Sequence, residues 1–310
     1  MKFIRGILNA TPEPQGLALT IGNFDGIHVG HAKIAARVKE VAKERGLLSA
    51  AMFFEPQPRE FFRPDSCPPR LTSLHEKYLF MRNLGIDRLY CLRFSEKIAN
   101  LPPEVFIKDI LIGRLNAKHI VIGDDFRFGA KRQGCLETLR AETNFTCEAT
   151  PSYLLGERRI SSTAIREALQ LGNLTLAEGM LGRPYSITGK VVHGKQLGRT
   201  IGFPTANVAL NRIVVPVSGV YAVSAMIDGI EMPGIANIGM RPTVNGTNPT
   251  LETHIFDFAR DIYGLRITVK FLKKLRDECK FDSVMQLRDA IALDMKTAQE
   301  FFAHQKQTEN

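Results

Sequence analysis

The stretch Leu17-Ala-Leu-Thr-Ile-Gly-Asn-Phe-Asp-Gly-Ile-His-Val-Gly-His31 decides the fold class. Its first five residues, Leu17–Ile21, read as a short buried strand. Glycines at 22, 26 and 30 then break the chain, and His31–Arg45 follows with Ile34, Val38 and Val41 on one helical face. The same alternation repeats outward. Strand-like runs occur at Leu48–Phe54, Arg88–Phe94, His119–Ile122 and Phe145–Thr150. Helical patterns lie between them at Leu74–Leu84, Pro103–Leu115 and Gly134–Glu142. Continuous apolar strands separated by helices are the mark of a parallel sheet covered on both faces. Two shorter helices, Ser162–Leu171 and Leu174–Leu181, close this α/β half.

After Gly182-Arg183-Pro184 the texture changes to period-2 strands and tight turns. Leu265–Phe271 alternates without a fault, and Asp228-Gly229 between Val220–Ile227 and Glu231–Ile238 is a hairpin signal. Strands without intervening helices imply an antiparallel sheet or small barrel, and Ser283–Phe302 returns to helical spacing. At ~150 residues per domain, 310 residues fit two domains. We expect them at 1–182 and 183–310.

Composition bounds the function. A hydrophobic share of 44% with 24% charged residues supports a packed core and excludes disorder as a class. No apolar run approaches the roughly 20 residues that span a bilayer, and Arg5, Pro12 and Glu13 come too soon for a signal h-region, so no signal sequence is expected. The five cysteines (67, 91, 135, 147, 279) never form C-x-x-C, which argues against a disulfide framework or zinc ribbon and for a reducing compartment. A cytoplasmic location without a membrane partner is therefore expected. The net charge of +9 is shared by both halves and forms no tail, which suits small anionic substrates at least as well as nucleic acid, and no nucleic-acid partner is expected. No oligomeric state is implied.

Three constellations carry chemistry. Glycines 22, 26 and 30 allow close backbone approach to a ligand, and the helix start beside them presents N–H groups suited to phosphate. His28 and His31 fall on one side of that start. Phosphate donors, a metal pair and plain strand–helix punctuation all fit this spacing. At Ile160-Ser-Ser-Thr-Ala-Ile-Arg166 a serine can act as helix N-cap or as a phosphate contact. In the second half, Gly194-Lys-Gln-Leu-Gly-Arg-Thr-Ile-Gly-Phe-Pro-Thr-Ala-Asn207 offers flexible backbone, cations at Lys195 and Arg199, and oxygens at Thr205 and Asn207 that suit Mg²⁺. It lacks the Gly-Lys-Ser/Thr of a Walker A loop. Downstream, Glu252 sits on an apolar strand, where a carboxylate is either paired with a cation or functional.

Taken in order, the chain resembles the bacterial bifunctional riboflavin kinase/FMN adenylyltransferase (FAD synthetase) family. The resemblance runs through both halves: Gly-Asn-Phe-Asp-Gly-x-His-x-Gly-His, Asp-Phe-Arg-Phe-Gly (125–129), Ser-Ser-Thr-x-Ile-Arg, Gly-Arg-x-Ile-Gly-Phe-Pro-Thr-Ala-Asn, Gly-Val-Tyr (219–221), Asn-Ile-Gly-x-Arg-Pro-Thr (237–243) and Glu-x-His-x-x-Asp-Phe. One departure is Asp124, where the family more often has an aromatic.

The resemblance implies a Rossmann-like nucleotidyltransferase domain followed by a small antiparallel β-barrel kinase domain with a C-terminal helix. It implies riboflavin, FMN, FAD and ATP as substrates and products, with Mg²⁺ as cofactor. In the adenylyltransferase, His28 and His31 would be catalytic, and Gly22, Asn23, Ser161, Ser162, Thr163 and Arg166 would hold ATP phosphates. Asp125, Phe126, Arg127 and Phe128 would form the flavin loop. In the kinase, Gly194, Lys195, Thr205 and Asn207 would hold ATP, Thr205 and Asn207 also the metal, and Glu252 would be the base. The rivals are a basic nucleic-acid binder and a metal-dependent hydrolase using His28 and His31.

Overall fold

The six strands of the main sheet in the first half are all parallel. They are β1 (Lys2–Arg5), β2 (Leu17–Ile21), β3 (Leu48–Glu55), β4 (Arg88–Arg93), β5 (Ala117–Gly123) and β6 (Thr146–Thr150), in the sheet order β1-β4-β3-β2-β5-β6. These elements belong to a computed structural model that describes residues 1–194, 197–210, 212, 214–243 and 246–308. By its contacts the chain divides into two units: Met1–Pro68 with Lys77–Ser161, and Pro69–Glu76 with Ser162–Asn310.

In the first unit all five residues of β2 are buried, as expected of a central parallel strand. The edge strand β1 escapes sequence reading because it has four residues and buries only Ile4. Helix α1 (Val29–Arg45) buries Val38 and Val41 of the stripe read from the sequence, while Ala35 is buried and Ile34 only partly so. The short helix α2 (Pro58–Phe62) and the longer α3 (Leu74–Asn83) precede β4, and α4 (Glu96–Ala99) and α5 (Pro103–Val105) follow it. The expected helix Pro103–Leu115 is one α turn running into a π-helix, Phe106–Arg114, which still buries Phe106, Ile107, Ile110 and Leu111. Helix α6 (Leu136–Arg140) is shorter than expected because Gly134 is drawn into a bridge with Phe128. A two-residue hairpin, β7 (Leu154–Leu155) and β8 (Arg158–Arg159), ends the unit.

The second unit contains α7 (Ser162–Gln170), α8 (Leu174–Leu181) and β9 (Ser186–Val192). After a single turn, α9 (Leu197–Thr200), come β10 (Ala206–Val208), β11 (Gly219–Ile227), β12 (Ile230–Thr243), β13 (Gly246–Ile255) and β14 (Arg266–Arg276). Among the described residues these strands close as a barrel in the order β10-β13-β12-β11-β14-β9. Asp228 and Gly229 both take positive φ (49° and 85°), the turn that a tight β11–β12 hairpin requires. Along β14 the alternation is literal, with Ile267, Val269 and Phe271 inside. Tyr221 of the Gly-Val-Tyr motif is also inside: its hydroxyl donates to the Ser218 carbonyl at 2.9 Å, and burial pushes the phenol up to about 12. Helix α10 (Val284–Thr308) covers part of the outer wall, packing Ile291, Met295 and Ala298 against Ile235 and Phe256.

Residues 69–76 join this unit through a buried charge pair. Glu76 accepts from the Thr188 N–H at 2.6 Å, from the Ser73 N–H at 2.6 Å and from the Arg212 guanidinium. Arg212 also donates to the Leu71 carbonyl and the Tyr185 hydroxyl, both at 3.0 Å. The two side chains are 2% and 0% exposed. Removing one partner of such a pair strands the other charge, at a cost of ~3–5 kcal/mol. Glu76→Ala should lower the stability of this unit by that amount in chemical denaturation, and a loss under 1 kcal/mol would refute the clasp.

Candidate functional site

The first unit has a topological switch point. The chain proceeds from β2 to β3 on one side, while β5 pairs with β2 on the other. In open α/β sheets ligands bind outside the carboxyl ends of the strands at such a point. The loops that leave β2 and β5 there are residues 22–28 and 124–129, two stretches picked out by the sequence.

The first of these loops is held in an unusual shape. Phe24 and Ile27 take positive φ (48° and 40°) without being glycine, and both are buried. Such conformations persist only where the surroundings impose them, and they cluster at ligand sites. One restraint comes from Lys77, a fully buried cation missed by the sequence reading. Its ammonium donates to the Asn23 carbonyl at 2.7 Å and lies 4.4 Å from the Phe53 ring centre. Asp25, also buried, was missed as well. Neither residue stands out as a single letter, because only the fold brings Lys77 to the loop.

His28 is the N-cap of α1, and its Nδ1 accepts the His31 N–H at 3.3 Å. A neutral ring accepting at Nδ1 carries its proton on Nε2, which makes Nε2–H its donor. The His28 and His31 rings stack with centres 3.7 Å apart. A Cβ at Gly30 would lie 3.2 Å from the His28 ring, so the small residue permits this packing. The helix start thus combines backbone N–H groups with two imidazoles. Among the described residues no group of three or more His, Cys, Asp or Glu is placed to hold a metal ion.

On the second loop, Asp125 and Arg127 are exposed, Phe126 is half-buried and Phe128 is core. The two phenylalanines stack at 5.7 Å. Asp124, the departure from the family pattern, accepts from the Ser152 N–H at 3.2 Å and from its hydroxyl at 3.0 Å, a polar tie in place of an aromatic contact. Asp125 pairs with Arg159 at 2.7 Å. Ser161 ends the first unit, whereas Ser162, Thr163 and Arg166 open α7 in the second. There the Arg166 Nε donates to the Pro69 carbonyl at 2.6 Å.

The barrel gathers the other candidates. Asn207 on β10 pairs across to Glu252 on β13, and Glu252 pairs across to Asn237 on β12. Cross-strand partners share a face with Cβ atoms ~4.5–5.5 Å apart, so the three side chains form one polar row. The neighbours Leu251 and Thr253 point into the barrel and are buried. The glycines of the loop find their reason here: a Cβ on Gly194 would collide with the Asn207 amide, and one on Gly198 would collide with the Phe203 carbonyl, beside the Thr205 hydroxyl. Thr205 immediately precedes β10. Lys195 lies outside the described residues.

Two further members of the barrel site were overlooked. His254, two residues from Glu252, donates its Nδ1–H to the Pro204 carbonyl at 2.8 Å, with its ring against Phe203 and Phe256. It thereby ties the Pro-Thr-Ala-Asn segment to β13. Asn237 was visible only as part of a motif, and the register with Glu252 makes it a neighbour of the proposed base.

Comparison with known proteins matches the chain in two parts. Residues 10–164 match the family described as FAD synthetase, and residues 181–302 match the one described as riboflavin kinase. The chain is 49% identical to the bifunctional riboflavin kinase/FMN adenylyltransferase of Escherichia coli K12, over 97% of this chain and 98% of that protein. It is 46% identical to that of Haemophilus influenzae, over 97% and 99%. A crystal structure described as a macrolide-efflux protein from Streptococcus pneumoniae superposes with a TM-score of 0.81 at 32% identity, covering 96% of this chain and 99% of that one. In the present chain, no described helix is long and apolar enough to cross a membrane. With both family matches in sequence order and near-complete coverage of its relatives, the chain belongs to the bifunctional riboflavin kinase/FMN adenylyltransferase family.

Proposed function

We propose that this chain makes FAD from riboflavin in two steps, with the kinase in residues 183–310 and the adenylyltransferase in residues 1–182. The observation that carries the reading is that each unit has its own phosphate-type site: a histidine-bearing helix start at a switch point, and a glycine loop packed on the Asn207–Glu252 pair.

In the kinase step Glu252 takes the proton of the ribityl 5′-hydroxyl as that oxygen bonds to the γ-phosphorus of ATP. The bond to the β–γ bridging oxygen breaks and ADP leaves. Phosphoryl transfer of this kind rests on positioning and charge neutralisation more than on covalent help from the protein. Gly194 and Lys195 belong to the loop that closes on the phosphates. The family is ATP-using and needs a divalent metal, and Mg²⁺ fits this donor set. The Thr205 hydroxyl and Asn207 amide oxygen are hard donors, and Mg²⁺ takes most of its remaining ligands from water and nucleotide. When bound, it neutralises charge on the phosphate oxygens.

In the second step a phosphate oxygen of FMN bonds to the α-phosphorus of another ATP, and pyrophosphate leaves. FMN is itself the nucleophile. His28 and His31 donate to the oxygens where negative charge builds, while Gly22, Asn23 and Ser161 hold the phosphate chain. Asp125, Phe126, Arg127 and Phe128 form the flavin loop, with Phe128 as its buried anchor. The five cysteines are free thiols, which suits the reducing cytoplasm.

Label transfer tests this chemistry. Label at the γ-phosphorus of ATP should enter FMN and persist in FAD. Label at the α-phosphorus should enter FAD alone, with one pyrophosphate released per FAD. α-Label in FMN would overturn the assignment of the steps. A second expectation concerns Lys77. Lys77→Met removes the donor that holds the Asn23 carbonyl, and misplacing the loop should slow FAD formation about 10- to 100-fold. FMN formation should be unchanged, and equal loss of both activities would refute a local role.

A further inference from the structure

We infer that Asn237 contacts the flavin substrate in the kinase site, its side-chain oxygen accepting a hydrogen bond from a hydroxyl of the ribityl chain. This deepens, and rests on, the assignment of Glu252 as the base. Asn237 Oδ1 is buried and has no hydrogen-bond partner among the described residues. Leaving a buried carbonyl oxygen unpaired costs ~1–3 kcal/mol, so native structures seldom keep one without a ligand or water to satisfy it.

Position and chemistry together select the partner. In the row Asn207–Glu252–Asn237, the proposed base stands between the other two. The phosphates belong on the Asn207 side, next to Thr205 and the glycine loop. If Glu252 receives the proton of the terminal hydroxyl, the rest of the polyol extends away from the phosphates. Neighbouring strands lie ~4.8 Å apart, so the next polar position it meets is Asn237 on β12. Oδ1 is an acceptor only, and phosphate oxygens offer it no proton. A polyol hydroxyl does. The nucleotide's own hydroxyls lie beyond its phosphates on the opposite side of the row. The ligand class is thus a flavin bearing a hydroxylated side chain, and Asn237 is a specificity residue for that chain.

The test uses the full-length protein and riboflavin analogues lacking one ribityl hydroxyl, at the 2′, 3′ or 4′ carbon. One analogue should lose about 10-fold or more in kcat/KM with the wild type, as expected when a buried polar group is left unpaired. Asn237→Ala should lose a similar factor for riboflavin and nothing further for that analogue. Its KM for ATP, its melting temperature and its FAD formation from supplied FMN should be little changed. Wild-type indifference to all three analogues would overturn the inference, and this measurement does not depend on the variant folding. Unchanged kcat/KM for riboflavin in a folded Asn237→Ala protein would overturn it too. Glu252→Gln separates the two levels. Loss of FMN formation there, with Asn237→Ala normal, refutes the inference alone; normal FMN formation in Glu252→Gln refutes the reading beneath it.

Discussion

Glu252→Gln should reduce FMN formation by ~10²- to 10⁴-fold while leaving FAD formation from supplied FMN intact. Glutamine keeps the shape and much of the hydrogen bonding of glutamate but removes its basicity. The backbone at residue 252 is fixed from both sides, by Asn207 on β10 and Asn237 on β12, so the strand should not respond to the change. The adenylyl transfer is assigned to other residues, none of them on β10, β12 or β13, and serves as the internal control. A purely structural carboxylate predicts another pattern: lower stability, with FMN formation lost in proportion to unfolding. A melting curve and two product assays on one protein separate these outcomes. Normal kinase activity in folded Glu252→Gln protein would remove Glu252 from the mechanism.

His28→Ala and His31→Ala should each lower FAD formation by roughly 10²-fold or more, the scale for losing one donor to a charged transition state. FMN formation should persist. The structure adds a control specific to His28. Because its Nδ1 caps α1, the alanine variant also loses an N-cap, worth ~0.5–2 kcal/mol. His28→Asn keeps a capping oxygen but no imidazole. It should therefore melt close to the wild type and be as inactive in adenylyl transfer as His28→Ala. Recovery of FAD formation in His28→Asn would mean that the ring serves only as a cap.

Much of this architecture is legible in the sequence because the signals are local. The run Leu17–Ile21 followed by a glycine-broken turn is a buried strand feeding a helix, and the structure has β2 and α1 there. The alternation at Leu265–Phe271 places Ile267, Val269 and Phe271 inside the barrel, as a period of two demands. What local pattern cannot supply is register and long-range pairing. Glu252 could be singled out as a carboxylate on an apolar strand, but its alignment with Asn207 and Asn237 depends on three strands separated by loops. Lys77 reads as an ordinary helix lysine until the fold carries it to the Asn23 carbonyl. Glu76 makes reciprocal hydrogen bonds with Ser73, but its pairing with Arg212, 136 residues away, exists only in the tertiary structure. The π-helix at Phe106–Arg114 leaves the apolar stripe intact, so periodicity alone could not separate it from an α-helix.

The most direct measurement is a single incubation of the purified chain with riboflavin, ATP and Mg²⁺, sampled over time and resolved by chromatography. FMN should appear first and FAD follow at its expense, with ADP and pyrophosphate as the two leaving products. Riboflavin recovered unchanged, or FMN that never proceeds to FAD under saturating ATP, would contradict it.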